Sequence, residues 1–138
     1  MVQSVRRLAS FRLVRAVRDK SHPDRFIAAT FRSIWALELL LYLRSEGEVA
    51  HSREELVKQL RASDAVVETS IGSLIAAGLV LEEEGKVRYA PASADLDDQV
   101  LATEKMYRAR PDAVRRLIIS GSIGGFAAFA DAFRLKGD

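Results

Sequence analysis

The side chains that carry covalent or metal chemistry are scarce in this chain. Among 138 residues there is no cysteine, and the histidines are His22 and His51 alone. Each histidine stands beside an expected helix start without a second ligand at a spacing metals use, so a helix-boundary role is expected and a metal site is not. The missing cysteines remove thiol and disulfide chemistry and fit a reducing cytoplasm. The carboxylate runs Asp97-Asp98 and Glu82-Glu83-Glu84 have no basic or nucleophilic partner nearby in sequence and read as solvated surface. The segment GSIGG at 121–125 superficially matches a phosphate loop. No Lys-Ser/Thr follows it and no strand precedes it, so it reads as a turn between helices. No catalytic constellation emerges, no cofactor is implied, and an enzyme is not expected.

The chemistry that remains is ionic recognition. The net charge is +2, with an isoelectric point of about 9.1, but the charge is uneven. Residues 1–32 hold eight basic and two acidic groups, a formal +6, whereas residues 33–138 hold thirteen basic and seventeen acidic groups, a formal −4. Attraction for a polyanion therefore rests on an N-terminal arm carrying Arg6, Arg7, Arg12, Arg15 and Arg18. Residues 1–20 read as a basic helix, with Val2, Val5, Ala9, Leu13 and Ala16 on one face. Three roles stay open for it: laid against phosphates, at a membrane surface, or solvated and packed on the body of the protein. An organelle transit peptide ranks below these. No apolar run reaches the ~20 residues that a membrane span needs, and a soluble cytoplasmic protein is expected.

The elements that would position such groups centre on residues 61–89. Ser63 is placed to cap a helix in which Val67, Ile71, Leu74 and Ile75 form an apolar stripe, and Gly78 ends that helix. Leu79, Val80 and Leu81 begin a strand, Glu84-Gly85 turns it, and Val87 and Tyr89 alternate with Lys86 and Arg88 on the return. Upstream, one long helix is expected from Asp24 to Ser45, ended by Gly47. Ile34, Leu37, Leu41, Trp35, Leu39, Leu40 and Leu43 surround it, too apolar a set for a helix with one face in water. Ser52 and Glu55 form a capping box for the next helix, which buries Leu56, Val57 and Leu60. Downstream, Ser93 caps a helix bearing Leu96, Val100 and Tyr107. Pro111 restarts another with Val114, Leu117 and Ile118, and Ser120-Gly121-Ser122 should break it. Ser122 then caps a last helix whose Phe126, Phe129, Ala130 and Phe133 need burial in the core or in a dimer interface. The expected fold is mainly α with a small β-hairpin wing, divided into an arm (1–20), a helix-turn-helix with wing (24–91) and C-terminal helices (93–138).

Helix, short turn, helix and hairpin over residues 34–89 resemble the winged helix-turn-helix superfamily, including small bacterial regulators distantly related to the MarR group. The hairpin EEEGKVRY departs from that group, lacking its Asp-x-Arg pattern and the Leu-Thr that follows. The segments YAPAS and FADAFRLKGD are similar to those of small bacterial winged-helix transcriptional regulators. The resemblance implies double-stranded DNA as ligand and a homodimer. Arg61, Ser63, Thr69 and Ser73 would then lie near bases or phosphates, Lys86 and Arg88 on the wing, and paired helices about 34 Å apart. One feature pulls the other way. The face formed by Ala65, Glu68, Thr69, Gly72, Ser73 and Ala76 has no Lys or Arg, whereas guanine readers place one there. A protein partner docking on that small, slightly acidic face is the alternative.

Overall fold

A computed structural model describes residues 23–121. These form six helices and one three-stranded antiparallel sheet: α1 (Asp24–Thr30), α2 (Ile34–Ser45), β1 (His51–Ser52), α3 (Arg53–Leu60), α4 (Asp64–Ala76), β2 (Val80–Glu83), β3 (Lys86–Tyr89), α5 (Ala94–Ala109) and α6 (residues 111–121). The fold is thus mainly helical with a small sheet, as expected. The arm at residues 1–20, His22, and the C-terminal stretch with Ser122, Phe126, Phe129, Ala130 and Phe133 lie outside the described residues.

The long helix expected from Asp24 to Ser45 is two helices, bent by 107°. Phe31 is extended (φ −100°, ψ 116°) and 1% exposed, with its ring edge-on to Phe26 at 5.8 Å. Ser33 then caps α2, its side chain accepting from the Ala36 amide at 3.2 Å. Burial of an aromatic ring and a capped restart replace the ladder hydrogen bonds that an unbroken helix would make. Helix α2 is the core of the molecule. Ala36, Leu37, Leu39, Leu40 and Leu43 are completely buried, and α2 packs on α3, α4 and β3. Full burial of one such leucine contributes about 1.5–3 kcal/mol. No single helix among the described residues is long and apolar enough to cross a membrane.

The expected capping box is present, with the Ser52 side chain accepting from the Glu55 amide and Glu55 accepting from the Ser52 amide. The preceding residues do more than cap. His51 and Ser52 pair with Val87 and Lys86, adding a third strand to the expected hairpin, in the order β1-β3-β2. At the turn, Glu84 and Gly85 both have positive φ, 54° and 79°, which matches the right-handed twist of the flanking strands.

Arg61, also left-handed at φ 55°, closes α3, and Ser63 caps α4 by accepting from the Val66 amide at 3.1 Å. The buried seam of α4 is Val67, Ser70, Ile71 and Leu74. Ile75 was expected in the apolar stripe but is 40% exposed, because one further residue rotates it about 100° out of the seam. Gly78, at φ 76°, ends the helix as anticipated.

Ser93 caps α5 and Arg110 breaks the chain before Pro111, both as expected. Of the expected break at Ser120-Gly121-Ser122, Ser120 and Gly121 are helical, and Ser122 lies outside the described residues. Gly121 packs on α1, where an added Cβ would stand 2.6 Å from the Ala28 carbonyl oxygen. The glycine is a close-approach contact between helices.

Candidate nucleic-acid interface

The solvent side of α4 carries Ala65, Glu68, Thr69, Gly72, Ile75 and Ala76, all exposed. A Cβ added at Gly72 would meet nothing within 4 Å. Ser73 is half-buried and its Oγ donates to the Ser70 carbonyl at 3.3 Å, so part of its hydrogen-bonding capacity is spent within the helix. The Ser63 side chain is likewise engaged as the cap. Of the sequence candidates in this region, Arg61 and Thr69 keep exposed side chains without such local hydrogen bonds.

A cation absent from the sequence candidates stands at the edge of this face. Arg53, the first residue of α3, places its Nε 2.5 Å from Glu68 on α4 and its Nη1 2.7 Å from Glu82 on β2. Its Nη2 donates to the second Glu68 oxygen at 3.3 Å. Two carboxylates thus share one guanidinium in the notch between α4 and the hairpin. The side-chain hydrogen bond from Arg53 lowers the Glu68 pKa. Glu82, expected to be simply solvated, therefore has a basic partner 29 residues away. A sequence signal existed: an arginine at the first position of a helix opposes the positive end of the helix dipole and calls for acidic company.

Lys86 and Arg88 lie on β3, the return strand of the hairpin. Strand alternation turns Val87 into the core and points Lys86 and Arg88 outward, where they line an open depression with Ala50, Leu81, Glu83 and Glu84. In the register Lys86 stands opposite Glu83 and Arg88 opposite Leu81. Residues 34–91 contain six basic and ten acidic groups, a formal −4.

The other polar clusters bind elements together. His51, 9% exposed, sets Nε2 at 3.3 Å from Glu46 and Nδ1 at 3.4 Å from Glu55, beside the Tyr42 ring. This agrees with its expected helix-boundary position. No group of three metal-ligating side chains occurs among the described residues. Glu55 is held below the usual carboxylate range, chiefly by the hydrogen bond from the Ser52 amide. Asp97, the other run expected to be solvated, accepts from the Tyr89 hydroxyl at 2.6 Å. Burial and that bond push the Tyr89 phenol up. Arg44 pairs with Glu104 at 2.7 Å, joining α2 to α5. Comparison of the chain with protein-family models, curated proteins and solved structures finds no match.

Proposed function

We propose that residues 24–91 form a winged helix-turn-helix and that the chain is a DNA-binding transcriptional regulator, acting in the cytoplasm as a homodimer. The observation that supports this reading most is the succession α2, β1, α3, a three-residue turn, α4, β2 and β3, with the sheet in the order β1-β3-β2 and the whole outer side of α4 exposed. A helix about 10–12 Å across fits a major groove about 12 Å wide. Small residues at 65, 72 and 76 let its backbone approach base edges closely. Thr69 is then the polar side chain nearest the bases, and Arg61 a phosphate contact at the helix entry. The arginines of the arm supply most of the affinity, because residues 34–91 are net acidic. In a selection from mixed genomic duplexes, Arg61→Ala weakens all fragments alike and lowers the salt slope by about one, whereas Thr69→Ala shifts which fragments are retained. Failure of the full-length chain to bind any duplex at low salt would discard this function.

A second reading is favoured by Ile75, an isoleucine 40% exposed beside Gly72 and Ala76. On that reading α4 docks a protein partner and DNA binding is reduced or lost. Space is open at Gly72, so Gly72→Leu leaves the fold intact while blocking close approach. Unchanged affinity for a captured partner would count against docking there.

A further inference from the structure

We propose that Arg53 is a phosphate-binding residue kept in reserve, its guanidinium held by Glu68 and Glu82 until duplex DNA takes their place. The inference rests on the DNA reading above and accounts for the absence of a free cation on α4. Three elements meet at this side chain: it starts α3, Glu68 belongs to α4 and Glu82 to β2. Its Nη1 also lies 3.5 Å from the Gly85 carbonyl at the tip of the hairpin. Arg53 thus sits between α4 and the tip of the hairpin, and on the DNA reading a phosphate backbone crossing from helix to wing would pass it.

The guanidinium fork already satisfies two carboxylates, and one positive charge against two negative ones leaves the cluster at a formal −1. An approaching phosphate first meets net repulsion. The contacts are nevertheless easy to exchange. The side chains of Arg53, Glu68 and Glu82 are 33%, 60% and 34% exposed, so water screens each pair and holds it weakly. A phosphate offers the same paired acceptor oxygens as a carboxylate and suits the same fork. Exchange is favoured when α4 is seated deeply enough to bring a phosphate within reach, which penalises shallow, sequence-independent contact. The two glutamates thus discriminate against non-specific DNA, and Arg53 rewards the fitted complex.

The test measures affinity of the full-length chain for mixed-sequence duplex across a salt series, comparing wild type, Glu68→Gln/Glu82→Gln, Arg53→Gln and the triple variant. The double glutamine variant should bind roughly fivefold tighter than wild type, and adding Arg53→Gln should remove most of that gain together with about one unit of salt slope. Equal affinities for the double and triple variants would mean that lost negative charge alone explains the gain. That outcome overturns the role of Arg53 and leaves the DNA reading standing. If neither wild type nor any variant binds at low salt, the DNA reading falls and this inference falls with it. A measurement on unmutated protein guards against misfolded variants: the Arg53 Nε–H resonance should shift when duplex is added, and a stationary resonance in the bound complex contradicts the exchange.

Discussion

Gly121→Ala sets two known energies against each other. Alanine in a helix is favoured over glycine by about 1 kcal/mol, so at an open site this substitution stabilises. At Gly121 the new methyl would stand 2.6 Å from the Ala28 carbonyl oxygen, 3.0 Å from its Cβ and 3.1 Å from its Cα. Two of those atoms are backbone and cannot swing aside as a side-chain tip can, so α1 and α6 must separate. Overpacking of this kind costs about 1–3 kcal/mol, which outweighs the helix preference and leaves a net loss of about 1 kcal/mol. Gly72→Ala is the matched control, since its added Cβ meets nothing within 4 Å, and it should gain up to about 1 kcal/mol. Urea unfolding of the full-length chain reads both, with midpoints moving in opposite directions at unchanged m-value. A Gly121→Ala protein as stable as Gly72→Ala would refute the helix contact from which the cost is worked out.

Three further outcomes follow from local geometry. Ser52→Ala removes the capping box at α3 and should cost about 1 kcal/mol in the same assay; no change would mean that strand pairing alone holds this segment. Glu55 and Glu68 have folded-state pKa values below their ordinary ones, the first through the Ser52 amide and the second through Arg53. Their stabilisation is complete above the unfolded carboxylate range and is lost as pH falls through the folded values; both side chains are about 60% exposed, so Glu55→Gln/Glu68→Gln should flatten the acid limb of the stability profile by a small amount. An acid limb as steep as that of the wild type would argue against both partners. Glu84 holds a left-handed conformation at φ 54°, and Glu84→Asn should stabilise the hairpin by up to about 1 kcal/mol; a loss would mean that the glutamate side chain has a role at the turn.

Features set by neighbours along the chain were readable without coordinates. The caps at Ser52, Ser63 and Ser93, the stop at Gly78 and the turn at Glu84-Gly85 all depend on residues within about four positions. What depends on distant packing was not. Strand β1 has two residues and no alternation to detect, and it exists because β3 offers an edge. The break before α2 combines burial of Phe31, which no local pattern marks, with a Ser33 cap that was a local signal and went unread within an apolar run. Gly121 looks like a helix breaker until Ala28 stands against it. The Arg53 cluster joins residues 15 and 29 positions apart, beyond the reach of any helical or strand period. The candidate face on α4 was half legible: its small, cation-free character could be read directly, whereas the exposure of Ile75 and the position of Arg53 at its edge could not.

Binding of the full-length chain to mixed genomic duplex across a salt series tests the proposed function most directly. The same series is run with Arg6, Arg7, Arg12, Arg15 and Arg18 changed together to Gln. The wild type should enrich particular fragments and lose affinity linearly on logarithmic axes as salt rises. The arm variant should bind more weakly and with a shallower slope, by about 0.9 for each phosphate contact the arginines make. Absence of binding by the wild type at about 50 mM salt, where phosphate contacts are strong, would contradict a DNA regulator and leave the Gly72–Ile75 face of α4 as a protein-docking surface.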